Sequence, residues 1–368
     1  MTAQESELAE LHGELRAVAR DLLGKAGAGA AADWRSVAEA GWLGLEAPDE
    51  LDGADATFAE VAVILRETGR AAASGPYPTA AVLGVGTLNL LEPRPGRDAL
   101  LLETVSGAVV PAVALEGGAT RGVPFWIDRT PDGPLLHGTA TFVPDAHQAD
   151  RLLLPALDPD GVPVVVSADP RAAGLNVAEQ PVLDETRRFG SVAADGVGVD
   201  AESVWRFRGD PGAVVQRLYD RAAVAVACDS LGLSEAMLDA TVAYAGVREQ
   251  FGRPIGSFQA VKHACADMLV QVTVSRKLVD AAVRAQVVDA PEAAVAASMA
   301  KSYACSAAVE VAGKAMQLHG GMGYTWESGI HVYLKRAALN RSLFGSAAAH
   351  RRRLAERYSP LVRGRLDA

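Results

Sequence analysis

Apolar residues recur at helical spacing over Glu7–Leu23, where Leu8, Leu11, Leu15, Val18 and Leu22 form one stripe. Phe58–Thr68 shows the same period, and Thr79–Leu91 reads as a further helix after the break at Gly75-Pro76-Tyr77-Pro78. Ala47 to Gly53 is a loop by its Pro, Asp and Gly content. From Val109 to Phe207 the texture changes. Short β-prone runs (Val109–Val113, Leu135–Phe142, Leu152–Leu154, Val162–Val166, Ser203–Arg208) alternate with turn residues, which predicts an antiparallel β domain. Beyond Gly212 the pattern is helical again, over Ala213–Gly246, Phe258–Ala290, Pro291–Leu318 and Ile330–Tyr358. These segments are apolar on several faces, which suits a bundle with faces left over for subunit contacts. The expected organisation is α+β: a helical domain over 1–107, a middle β domain over 108–210 and a four-helix bundle over 211–368.

With 368 residues, 49% hydrophobic and 22% charged, the chain has ample core material for two or three packed domains. A net charge of −10 argues against nucleic acid or an anionic membrane as the main partner. Met1-Thr2-Ala3-Gln4-Glu5 opens without a basic n-region and apolar h-region, and no apolar run reaches membrane-span length. Cys228, Cys265 and Cys305 show no metal-ligand spacing and no His–Asp partner nearby, so they are expected to be reduced thiols in a cytoplasmic oligomer.

Two segments carry the candidate chemistry. Arg248-Glu249-Gln250-Phe251-Gly252-Arg253-Pro254-Ile255-Gly256-Ser257-Phe258-Gln259 places arginine, aromatic rings and glutamines around one turn. A guanidinium is a planar fork of donors suited to phosphate, and a phenyl face suits a ring. Gln317-Leu318-His319-Gly320-Gly321-Met322-Gly323-Tyr324 combines a side-chain amide with glycines that permit close backbone approach.

With Trp34 to Leu45 and Pro48, Ala266-Asp267-Met268, and Glu327 beyond the second segment, these motifs resemble the acyl-CoA dehydrogenases over nearly the full length. The resemblance implies the family's α–β–α order, FAD as cofactor and α,β-dehydrogenation of an acyl-CoA thioester. It implies that Arg248 meets the FAD pyrophosphate, Phe251 the flavin region, and Gln250, Phe258, Gln259, Gln317, Gly320 and Gly321 the rest of the dinucleotide, for a neighbouring subunit's cofactor. It also implies an electron-transfer flavoprotein as acceptor.

The family's base is a glutamate in a Tyr-Glu-Gly-Thr segment before the last helix, and here that segment is Leu343-Phe344-Gly345-Ser346. Phe344 at the glutamate's position cannot take a proton. The minority position on the first bundle helix, about seven turns before the signature arginine, falls at or beside Ala222, with Asp220 the nearest carboxylate but two residues out of phase. In the β domain, the family's Thr-Glu-to-Gly-Ser-Asp segment corresponds to Ala114 to Arg121, and its flavin-side strand to Phe142 to Asp150, where Pro144 removes a donor. Asp184-Glu185-Thr186-Arg187-Arg188 keeps a pattern of actinobacterial-type members.

The expected role is therefore one subunit of a heteromeric α2β2 enzyme, possessing the FAD clamp while a homologous partner supplies the glutamate. The acyl group can be bulky. A self-sufficient homo-oligomer using Asp220, a flavin-dependent N-hydroxylase or desaturase on this fold, and a flavin-free scaffold remain alternatives. His263 and His319 read as hydrogen-bonded interface histidines rather than catalysts, and Trp326 as pocket wall or packing. Arg336 and Arg351-Arg352-Arg353 could reach phosphates, or be solvated helix-end charges.

Overall fold

The structure is a computed structural model and describes residues 3–24, 27–118, 122–325 and 327–366. The chain packs as two compact units, each built from separated stretches.

The helical unit comprises Met1–Ala31, Ala62–Ser74 and Ala223–Ala368. It holds α1 (Ala3–Gly24), most of α3 (Phe58–Arg70), the later part of α6 (Pro211–Val247), α7 (Gln259–Val287), α8 (Ala293–His319), α9 (Ile330–Ser342) and α10 (Ala347–Leu366). α8 packs against α7, α9 and α10. Its buried alanines (297, 300, 304, 308, 312 and 315) keep the side chains short, so neighbouring backbones come close. The sequence pattern runs unbroken through Ile330–Tyr358, but the helix is interrupted at Leu343–Ser346, where Phe344 (φ +50) and Gly345 (φ +100) turn the chain left-handed. In α1, Ala19 and Leu23 are buried while Leu8, Leu11 and Val18 of the apolar stripe lie exposed.

α3 and α6 cross at two glycines. A Cβ on Gly232 would sit 1.9 Å from the Arg66 carbonyl oxygen, and one on Gly69 would sit 2.0 Å from that of Asp229. Around this crossing runs a ladder of ion pairs. Glu235 takes both Arg66 and Arg276, Asp239 takes Arg70, and Glu67 takes Arg20. Asp229 binds Arg336 through both carboxylate oxygens and accepts from Asn340 at 2.6 Å.

The second unit comprises Ala32–Val61 and Gly75–Ala222. Asp33 caps α2 (Trp34–Glu39), and Trp34 donates its indole N–H to the Gly107 carbonyl at 2.9 Å. A π-helix over Pro78–Val85 leads into the short α4 (Gly86–Asn89), and α5 (Pro95–Val105) follows. Eight strands among the described residues then form one sheet. They are β1 (Pro111–Val113), β2 (Phe125–Thr130), β3 (Gly133–Pro144), β4 (Arg151–Leu157), β5 (Pro163–Ala168), β6 (Leu175–Glu179), β7 (Phe189–Gly198) and β8 (Val204–Arg206). The order β6-β7-β3-β2-β4-β5-β8, with β1 on β4, buries Phe125, Leu136, Leu152, Leu154, Val164, Val166 and Val192 in its core.

The sheet is mixed, whereas the sequence predicts an antiparallel one: β4 runs parallel to both β1 and β2. β2 and β3 form a hairpin, and the chain reverses again through a short turn at Ala146–Gln148 before β4. Two reversals leave β2 and β4 pointing the same way, so their side-by-side placement is necessarily parallel. β2, β6, β7 and α5 are additions to the elements legible in the sequence.

Candidate functional site

The two motif segments meet at one end of the helical unit. α6 ends at Val247, Arg248 closes it by donating its backbone N–H to the Tyr244 carbonyl at 2.8 Å, and a tight hairpin follows. Its strands are β9 (Glu249–Gln250) and β10 (Arg253–Pro254), and its corner residues Phe251 and Gly252 have φ +53 and +75. Two successive positive φ values are what a two-residue hairpin with the native twist requires, and they explain the glycine. Ile255–Ser257 then leads into α7 through Phe258. The Arg253 guanidinium lies 4.2 Å from the Phe258 ring centroid and the Phe251 ring meets it edge-on at 6.1 Å. Phe258 thus braces the hairpin from within, while the Phe251 ring is 91% exposed.

At the end of α8, His319 stacks on Tyr244 at 4.3 Å, and its Nδ1 lies 2.8 Å from the Ala315 carbonyl oxygen. This buried contact joins the two segments, so His319 is a structural tie, whereas His263 is exposed on α7. The three glycines differ in their reasons. Gly323 is needed by the chain itself, because a Cβ there would meet the Met316 carbonyl oxygen at 2.5 Å. Gly320 takes φ +60 with ψ −138, a conformation closed to other residues. Gly321 has neither reason: a Cβ there would point into open space. Arg248, Gln250, Gln259, Gln317, Gly320 and Gly321 all lie exposed around this end.

These residues fit the ADP half of a dinucleotide. A guanidinium offers paired donors for a diphosphate, the amides both donate and accept, and a bare Gly321 leaves room for close approach. Arg248, Gln259 and Gln317 stand exposed for such contacts, while the Gln250 amide donates to the Glu249 carbonyl at 2.8 Å.

The base positions look different. Phe344 is 4% exposed in the α9–α10 linker. Its carbonyl oxygen lies 3.1 Å from His350 Nε2, and the next one, of Gly345, accepts from Lys301 Nζ at 2.9 Å. Ala222 and Asp220 are both buried on α6, and the neighbouring Arg221 is held by the Glu46 carboxylate and the Val82 carbonyl.

In the second unit, Glu116 accepts from the Thr141 hydroxyl at 2.5 Å and its amide at 3.2 Å, and a Gly117 Cβ would strike the Phe142 carbonyl at 2.2 Å. Residues 114–118 are thereby fastened to β3. Ala119, Thr120, Arg121 and Trp326 lie outside the described residues. After Pro144, Asp145 turns left-handed and accepts from Thr79 Oγ1 and Gln148 Nε2. Burial pushes its carboxyl above the ordinary range against these bonds. Asp184 accepts from the Thr186 amide and hydroxyl through one oxygen, while its other oxygen is buried without a partner among the described residues.

Three further side chains depart from their sequence reading or escaped it. Arg336, a phosphate candidate, is fully buried: besides Asp229 it donates to the Ala73 carbonyl at 2.7 Å, so its fork is taken up inside the protein. Lys301 and His350 gave no sequence signal, since neither lies in a motif. Cys228 and Cys305 are buried and their thiols pushed up by desolvation, which leaves them poor nucleophiles. No group of metal-binding side chains occurs among the described residues, and no described helix is long and apolar enough to cross a membrane.

The family profile for the acyl-CoA dehydrogenase C-terminal domain matches residues 212–359, and that for the N-terminal domain matches residues 8–92. Acyl-CoA dehydrogenase IpdE2 of Mycolicibacterium smegmatis is 30% identical over 329 residues, covering 87% of this chain and 86% of the relative. Among solved structures, the ChsE4–ChsE5 complex from Mycobacterium tuberculosis aligns with a TM-score of 0.82 at 27% identity, covering 97% of both chains. A variant of the Tcur3481–Tcur3483 steroid ACAD aligns with a TM-score of 0.81 at 29% identity, covering 95% of this chain and 98% of that one. Both profiles and these relatives are of flavin-dependent oxidoreductases acting on CH–CH groups. The chain belongs to the acyl-CoA dehydrogenase family.

Proposed function

We propose that this chain is one subunit of a heteromeric acyl-CoA dehydrogenase, holding the ADP half of FAD for a homologous partner that supplies the catalytic glutamate. The contrast between two places carries the reading. The clamp residues stand exposed, whereas the linker that should bear the base presents a buried phenylalanine. Two of the similar structures are named as pairs of chains, and one as a steroid enzyme, which supports a paired assembly and a bulky acyl group.

In this reading FAD, when bound, accepts the β-hydride of the acyl thioester. Arg248 holds the diphosphate, Gln250, Gln259 and Gln317 satisfy the polar edges, Phe251 covers the ring side, and Gly320 and Gly321 let backbone approach. The partner's glutamate takes the α-proton, because a weakly acidic carbon needs a placed base and Phe344 provides none. Electrons leave to an electron-transfer flavoprotein, and the enzyme works in the cytoplasm.

The test is to produce the chain alone and together with a glutamate-bearing homologue, measuring flavin content and oxidation of octanoyl-CoA and of a steroid side-chain CoA thioester. Flavin and activity are expected only in the pair. A chain that alone binds stoichiometric FAD and oxidises either thioester sinks the proposal. In the self-sufficient alternative Asp220 is the base, and its burial on α6 makes it the carboxylate to change. Activity surviving Asp220→Asn removes that alternative.

A further inference from the structure

Lys301 and His350 are fully buried titratable side chains that the dinucleotide clamp does not use. Both spend donors on the same four-residue linker. Lys301 Nζ donates to the Gly345 carbonyl at 2.9 Å and to the Arg341 carbonyl, in the last turn of α9, at 3.3 Å. His350 Nε2 lies 3.1 Å from the Phe344 carbonyl oxygen, and its Nδ1 lies 3.2 Å from Ser298 Oγ. A neutral ring satisfies both contacts if Nε2 carries the proton and the serine hydroxyl donates to Nδ1. Ser298 and Lys301 share α8 one turn apart, so a single helix anchors both donors.

The linker between these anchors is conformationally unusual. Phe344 and Gly345 both take positive φ, and for a bulky side chain such as phenylalanine that region is an outlier. A Cβ on Gly345 would stand 3.0 Å from His350 Nε2, so the ring also restricts what residue can follow Phe344. An ammonium is expensive to bury, and an apolar side chain of similar volume would pack as well. What an apolar residue could not do is hold two carbonyls. A strained backbone persists only where its surroundings over-determine it, and here two donors do so.

We propose that Lys301 and His350 are positioning residues that lock the α9–α10 linker in its left-handed kink, fixing Phe344 as a rigid wall where the family carries its base. The linker's rigidity thereby comes from α8.

Amide hydrogen exchange on the full chain tests the lock, using Lys301→Met, His350→Leu and the donor-preserving His350→Gln. Met and Leu are expected to speed exchange at residues 344–347 about tenfold while α8 amides stay protected, and Gln to restore the native rate. Unchanged linker exchange in both variants, or faster exchange throughout the chain with a matching drop in Tm, overturns the lock.

Discussion

Asp145 lies at φ +52 just after β3, 6% exposed, with its carboxylate taken up by Thr79 and Gln148. Burial raises its pKa despite those bonds, so between the ordinary carboxylate range and the raised value the folded chain holds a proton that the unfolded chain has released. Stability therefore falls as pH rises through that window and stays lower above it. Asp145→Asn cannot lose a proton and keeps the side-chain shape. Its urea stability relative to wild type is expected to improve as pH rises above the ordinary carboxylate range. A difference that is flat or shrinks with pH would show the charge is not what burial opposes. Residues of this kind were the least legible in the sequence. Arg336 looked like a phosphate ligand because its partner Asp229 lies 107 positions away, and no local pattern pairs them. The Arg248–Gln259 hairpin was legible as a turn because its neighbours in sequence are its neighbours in space.

At the scale of elements, helix periodicity read well where one face is buried, as in α3, α6, α7 and α8. It failed at Leu343–Ser346, because Leu339, Leu343 and Ala347 continue the apolar spacing through a break that tertiary hydrogen bonds impose. β7 was hidden for a different reason. Its Phe-Gly-Ser-Val-Ala-Ala-Asp-Gly-Val-Gly run has little intrinsic strand preference, and pairing on both sides with β3 and β6 makes it a strand. Two glycine substitutions separate packing from propensity. Gly232→Ala places a methyl against the Arg66 carbonyl at the α3–α6 crossing and is expected to cost about 1–3 kcal/mol. Gly313→Ala, within α8 with open space around its Cβ, is expected to stabilise by about 1 kcal/mol. Denaturant melts of the two variants should move in opposite directions, and movement in the same direction would refute the crossing argument.

For the whole molecule, the α–β–α order and the family were legible from motif spacing, while the mixed sheet and the discontinuous units were not. The helical unit leaves Val242, Phe251, Leu269, Val270 and Tyr324 exposed. Under the proposed pairing, Val270→Asp should leave the melting temperature near wild type but abolish co-elution with the glutamate-bearing partner. Retained co-elution would place the contact elsewhere. The helical unit also draws together the beginning, an internal stretch and the end of the chain, with Arg66 reaching Glu235 and Arg336 reaching the Ala73 carbonyl across 263 positions. On the ribosome α3 therefore emerges long before the charged partners of Arg66 and Arg70 exist. The arginines of α3 must wait for α6 to be made, and until then the nascent chain is the state in which a chaperone has the most to hold.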